Sequence, residues 1–416
     1  MDAAALERQG ATPIGRKTAI RFIVLLGIVS LFGDMTYEGA RSITGPYLGF
    51  LGASATIVGI VAGLGELLGY GVRLLSGWLG DRTQRYWAVM ITGYALNLFA
   101  VPLLALTSRW ELAAALIIAE RMGRGIRAPV RDAALSHAAG HTGLGWGFGL
   151  HEAMDQTGAV IGPLAVSAAL YLQYGYAAAF AILVVPAALS MASVLIARVL
   201  FPRPRDFDLT PPALQAGGFK RSYWIYMTAV ALIGAGYVDF ALIGFHFSQA
   251  AVVSPPLIPI LFAVAMASDA VASLVLGHLF DRFGVIVLIA GASLAALASP
   301  LVFLGGETEA FLGMILWGIG MGIQESVMRA VVAGMTLPDH RATAFGILNA
   351  VFGVAWFLGS VALGVLYDQS VMAVALVSLT LQLLAIPFLL LIMDSGAGRR
   401  IVRQKSPGSS NTRPEA

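Results

Sequence analysis

The sequence predicts an all-α integral membrane protein, with twelve transmembrane helices in two pseudo-symmetric six-helix bundles. Three observations support this. Of the 416 residues, 58% are hydrophobic and 12% charged, against roughly 25% charged in soluble domains. Apolar segments of about 20 residues, the length needed to cross a bilayer, occur twelve times. Short motifs of the first half return about 200 residues later in the second.

Residues 1–17 form a polar tail without a small-residue cleavage site behind a short apolar core, so no cleaved signal peptide is expected. Spans follow near 18–48, 54–79, 87–107, 111–135, 142–172 and 177–200, giving an N-terminal bundle over 18–201. A linker at 202–221 carries Arg203, Arg205, Lys220 and Arg221 with Pro211 and Pro212. The second bundle, 222–394, has spans near 222–249, 254–280, 284–304, 308–333, 341–366 and 371–393. The tail at 395–416 is basic and rich in Ser, Pro and Gly, a composition expected to be disordered.

Lys and Arg set the orientation. One set of alternate loops holds Arg16, Lys17, Arg82, Arg85, the linker cluster, Arg282, Arg341 and the basic tail; the other holds Arg109 beside Glu307, Glu309 and Asp368. By the positive-inside rule, both termini and the linker are cytoplasmic, in what would be a bacterial inner membrane. The small net charge of +3 is a matter of topology and implies no nucleic-acid partner. Cysteine is absent, which excludes disulfides and thiolate metal sites. The partners expected are a small-molecule or ion substrate and the lipid bilayer; oligomeric state has no signature here.

The fourth span contains ERMGRGIRAPVRD, with four arginines in an otherwise apolar setting. Ionisable residues inside a membrane are expensive and are functional candidates by default. On a helix turning 100° per residue, Glu120, Arg124, Arg127 and Arg131 lie at about 0°, 40°, −20° and 20°, on one face. Gly123, Gly125 and Ala128 allow neighbouring helices to approach, and Pro129 removes one backbone hydrogen bond. The expectation is a helix that lines a cavity.

Proton coupling needs a buried carboxylate whose affinity for a proton changes with its cationic neighbours. The first span offers Asp34, Glu38 and Arg41 on one face, beside Tyr37. Glu66 shares a face of the second span with Arg73, and Asp155 shares one of the fifth with His151 and Gly158. The proton-coupling candidates are therefore Asp34, Glu38, Glu66 and Asp155. Each is also open to a plainer reading as a static ion pair holding helices in register. The cavity candidates are Arg41, Glu120, Arg124, Arg127 and Arg131 from the first half, with Asp239, His246, Asp269 and Gln324 from the second. Basic side chains would suit an anionic or amphipathic solute, whereas the acids could serve a cation. The six histidines are dispersed, and although His137 and His141 are spaced to share a metal, no third ligand is near; no metal site and no cofactor are expected.

The halves repeat. GWLGDR at Gly77–Arg82 returns as GHLFDR at Gly277–Arg282, Gly123 to Ile126 as Gly320 to Ile323, and Asp34 as Asp239. Parallel six-helix repeats around a central site are a transporter plan. These residues resemble the major facilitator superfamily (MFS). Its loop signature is met by Gly77, Leu79, Asp81, Arg82 and Arg85, and its fourth-span signature by Arg121 and Gly125. Gly149, Gly158, Gly162 and Pro163 are similar to the antiporter motif of its exporters, and RMGRGIRAPVRDA resembles a branch that includes nickel-resistance permeases.

The resemblance implies a secondary transporter, not an enzyme, driven by the proton gradient. Gly77, Asp81, Arg82, Gly277, Asp281 and Arg282 would form gating loops, in which a carboxylate at a helix end latches onto its neighbour and releases as the halves rock. Topology anchoring and ordinary helix packing are the plainer readings of the loop and glycine motifs. The function expected is a proton-coupled exporter (antiporter) of a small solute. An uptake symporter for an organic acid, sugar or similar nutrient is the first alternative, and a non-transporting membrane receptor or scaffold the second.

Overall fold

The computed structural model describes residues 16–83, 85–140, 142, 144–202, 219–336 and 341–394; among these there is no strand. The expectations made for the two tails and for the linker between 203 and 218 lie outside the described residues. In chain order come α1 (Arg16–Phe50), α2 (Ala55–Thr83), α3 (Tyr86–Leu103), α4 (Trp110–Gly140), α5 (Leu144–Tyr171), α6 (Gly175–Ala181) and α7 (Val184–Leu200). There follow α8 (Arg221–Gly236), α9 (Phe240–Gln249), α10 (Leu257–Phe283), α11 (Val285–Ala296) and α12 (Ala298–Leu304). The last are α13 (Glu307–Gly322), α14 (Met328–Met335), α15 (Arg341–Gln369) and α16 (Val371–Asp394).

Ten helical runs among the described residues are long and apolar enough to cross a membrane. Two further long helices, α4 with 31 residues and α5 with 28, carry too much polarity to meet that measure. At 1.5 Å per residue they extend about 46 and 42 Å, enough to traverse a hydrocarbon layer of about 30 Å. Their polar residues are the candidates named above, so the shortfall in hydropathy marks the site.

Among the interrupted traverses, three have a distinctive local feature at the break. Between α6 and α7, Pro186 has no N–H to give to the carbonyl of Ile182, which accepts instead from the amide of Val185 at 3.2 Å. Between α8 and α9 the chain is extended, and the Asp239 carboxylate caps α9 by accepting from the amide of Ala241 at 2.8 Å. Between α13 and α14, residues Ile323–Val327 form a π turn containing Gln324. Gly284, the glycine before α11, has φ 69°, a conformation that excludes most side chains.

The described residues fall into two compact units: 16–202 with 239–263, and 219–238 with 264–394. In the first, Phe22, Leu26 and Val29 of α1 pack with Met90, Tyr94 and Leu98 of α3, Leu135 and Ala138 of α4, and Val194 of α7. In the second, Tyr226, Val230 and Ile233 of α8 surround Leu288, Val331, Leu389 and Ile392. There the hydroxyl of Tyr226 donates to the Met328 carbonyl at 2.9 Å, and that of Tyr223 to the Ala344 carbonyl at 2.8 Å.

Helix α5 lies close against α1, and two glycines of the fifth-span motif make the contact. A Cβ on Gly158 would overlap the carbonyl oxygen of Leu31, and one on Gly162 that of Met35; around Gly149 there is nothing within 4 Å. Gly162→Ala is therefore expected to cost about 1–3 kcal/mol through overpacking, read as a lower unfolding temperature in detergent, and Gly149→Ala to leave it unchanged. Equal effects would mean that helix proximity is not what selects glycine at Gly162.

Candidate functional site

Five arginines and seven carboxylates of the first unit form a set of ion pairs, most of it buried. It is built on facing stripes of α1 and α4, with contributions from α2, α3, α5 and α9. At one end the Ser30 hydroxyl and His151 Nε2 are 2.8 Å apart, and Arg131 donates to Ser30 at 3.2 Å. Arg131 also pairs with Asp132 at 2.8 Å and Asp155 at 3.9 Å. One turn along α4, Arg127 is 1% exposed, lies 3.8 Å from Asp34, and donates to the Tyr94 hydroxyl at 3.3 Å. Its guanidinium covers the Tyr94 ring at 4.7 Å and the Tyr37 ring at 5.4 Å, contacts that a flat delocalised cation makes well.

The next turn carries Arg124, which reaches Glu38 at 3.6 Å and stacks over Tyr37 at 5.1 Å. Glu38 in turn pairs with Arg41 at 3.6 Å, and Arg41 with Asp239 at 3.7 Å. On the adjoining side Arg121 meets Glu66 at 3.3 Å and Glu120 at 3.4 Å. The Asn97 amide donates to Glu120 Oε1 at 2.7 Å. A small cavity bordered by Tyr37, Arg41, Thr44, Glu120 and Arg121 adjoins this part of the network.

The arginine face expected from spacing thus exists, but it is matched by acids and is not an open basic lining. Ion pairs of this kind add little net stability, because desolvation offsets attraction, whereas removing one partner is strongly destabilising. Two acids on facing helices lie beside these guanidiniums: Arg127 is 3.8 Å from Asp34 of α1 and Arg131 is 3.9 Å from Asp155 of α5, and a Cβ on Gly158, three residues on from Asp155, would lie 3.1 Å from the Asp34 Cβ. Asp34 is 3% exposed, and Oδ1 of each carboxyl has no hydrogen-bond donor among the described residues.

With this geometry in view, comparison with known proteins is informative. The model of the Major Facilitator Superfamily matches residues 23–238 and 222–414. The chain belongs to the Major Facilitator Superfamily. An uncharacterized protein of Mycobacterium tuberculosis (strain ATCC 25618 / H37Rv) is 40% identical over 389 residues, spanning 92% of this chain and 95% of that one. An uncharacterized MFS-type transporter of Methanocaldococcus jannaschii is 27% identical over 358 residues, spanning 84% of this chain and 89% of its own. Among solved structures, a variant of the nucleoside transporter NupG superposes with a TM-score of 0.73 at 15% identity, covering 89% of this chain and 99% of NupG. A POT family transporter in complex with 5-aminolevulinic acid gives 0.71 at 13% identity, covering 92% and 96%. At these identities the structural likeness is one of fold.

The superfamily's signatures can now be placed. In the fourth-span motif, Arg121 lies across Gly65, where a Cβ would come 3.0 Å from its Cγ, and Gly125 admits the carbonyl of Gly69. Of the loop residues, Gly77 sits opposite Pro129, Arg82 is exposed at the end of α2, and the side chain of Asp81 lies outside the described residues. In the second copy a Cβ on Gly277 would meet nothing within 4 Å, and Asp281 and Arg282 are exposed near the end of α10. Arg282 lies over the Phe283 ring at 5.2 Å.

Of the cavity candidates from the second half, Asp239 joins the network through Arg41. His246 is buried on α9, its ring 6.2 Å from that of Phe247. Asp269 and Gln324 belong to the second unit, where Asp269 accepts from the Ser273 hydroxyl at 3.2 Å. Spacing along single helices did not reveal Ser30, Tyr94 or Asn97. Asn97 carried a signal nonetheless, as the one carboxamide in α3.

Proposed function

We propose that this membrane transporter is a proton-coupled antiporter that exports a small solute by alternating access, with both termini in the cytoplasm. The observation that supports coupling is Asp34, buried on α1 at 3.8 Å from Arg127, with Arg131 and Asp155 paired at 3.9 Å beside it. A proton held on Asp34 removes the charge that faces Arg127; its departure restores that charge and so changes which helix packing is favoured. The energy source is then the proton gradient, and no cofactor is needed. Export follows from the similarity of the fifth-span glycines to the antiporter motif. The same glycines also serve packing, and the two roles are compatible.

The test uses everted vesicles with a respiration-acidified lumen and a pH-sensitive dye. Metals, drugs, organic acids and sugars are added in turn. Solute-triggered proton efflux is expected from vesicles containing the protein and not from control vesicles. Solute-linked proton uptake appearing only in right-side-out vesicles would replace antiport by symport.

A further inference from the structure

We infer that an anionic phospholipid is held, by its phosphate, where the ends of α1, α3 and α7 come together at Phe201. Phe201 is the residue that follows α7. Its ring packs edge-on against Phe22 of α1 at 4.9 Å, and its carbonyl accepts from Trp87 Nε1 of α3 at 2.9 Å. Three basic residues lie within a turn of these contacts. Arg21 is next to Phe22, Arg198 is one turn before Phe201, and Arg85 is two residues before Trp87. Lys17 lies four residues before Arg21, on the same face of α1. All four side chains are exposed.

This group of charges has no acid of its own. Helices α3 and α7 contain none, and the first in α1, Asp34, is about 20 Å of helix beyond Arg21. Lys17, Arg21 and Arg198 make no ion pair among the described residues. Like charges gathered from three helices repel one another, and an anion placed among them relieves the repulsion.

The surface around Arg198 decides which anion. Leu195, Ile196, Val199 and Leu200 of α7 are all exposed, as expected of a face that meets acyl chains. The stems of Arg21 and Arg198 can lie along hydrocarbon while their guanidiniums stay at the level of the headgroups. There they can grip a phosphodiester through paired hydrogen bonds. Basic clusters between membrane helices are suited to such headgroups. A phospholipid uses both the charges and the apolar face beside them, whereas a free phosphate uses only the charges. A zwitterionic lipid brings its own cation and so gains less.

The test uses the purified full chain in detergent, titrated with phosphatidylglycerol or with phosphatidylcholine of the same acyl chains, and bound lipid is counted by native mass spectrometry. Phosphatidylglycerol is expected to bind saturably and to be retained over phosphatidylcholine. A basic residue near the membrane surface changes anionic-lipid affinity about fivefold, so Arg21→Gln/Arg198→Gln should bind phosphatidylglycerol roughly 25-fold more weakly. Both side chains are exposed, so without added lipid the variant should unfold at the native temperature. Arg21→Lys/Arg198→Lys, which keeps the charges, should recover most of the binding. Arg221→Gln removes an exposed charge from the first turn of α8 in the second unit and should bind as the native chain does. Equal retention of the two lipids, or native binding by Arg21→Gln/Arg198→Gln, overturns the site. An equally large loss in Arg221→Gln also overturns it, because basic charge anywhere on the rim would then suffice. Inorganic phosphate is the last probe: displacement of phosphatidylglycerol by an equimolar amount would make this a site for the free anion and overturn the lipid assignment, and failure to displace supports it.

Discussion

Asp34→Asn is expected to abolish solute-driven proton release while leaving the protein folded and the remaining exchange insensitive to pH. The reason is charge. On the coupling reading, the exchanged proton sits on Asp34, and the charge that appears when it leaves faces Arg127 at 3.8 Å. Asparagine has nearly the shape of a protonated aspartate and also carries no charge. The charge facing Arg127 and Arg131 is then what it was in the proton-loaded state. Arg127 also keeps its hydrogen bond to Tyr94 and its two ring faces. The variant is a carrier held permanently in its proton-loaded form. The check is dye-reported proton flux in everted vesicles, alongside an unfolding curve in detergent. Persistence of native proton release in a folded Asp34→Asn protein would remove Asp34 from coupling.

Much of this arrangement could be read before the structure, because helical spacing is local. The 100° rule placed Arg124, Arg127 and Arg131 on one face of α4, and Asp34, Glu38 and Arg41 together on α1. It could not say which stripe faces which. The placing of Asp155 beside Arg131 and Asp34 depends on α5 coming close enough to α1 for Gly158 and Gly162 to lie against its carbonyls. The glycines were visible as a motif, but their consequence for the carboxyls was not. Asp239 was recognised as the repeat partner of Asp34, yet its circumstances differ: it caps a helix and binds Arg41, because the seventh traverse breaks just before it. The cost of burying charge also explains why α4 and α5 look least like spans by hydropathy. Their polarity is tolerated because nearly every charged group finds a partner inside the unit, which no single-helix pattern records.

Arg127→Ala is expected to have the opposite signature, with loss of folding stability as well as transport. Removing the guanidinium leaves Asp34 without the cation that lies 3.8 Å from it. Truncating one member of a buried pair costs about 3–5 kcal/mol when its partner's charge is left uncompensated. Thermal or denaturant unfolding in detergent measures that loss. The double variant Arg127→Ala/Asp34→Asn separates charge from packing, since it removes both members of the pair. If compensation is what Arg127 supplies, the double variant recovers much of the stability of the single one, a coupling that a mutant cycle reads directly. If the two are equally unstable, the flat contacts with Tyr94 and Tyr37 are what matter. Arg127→Lys refines the choice: it keeps the charge but gives up the stacked geometry, so it should fold nearly as well as the native chain under the first account and as poorly as Arg127→Ala under the second.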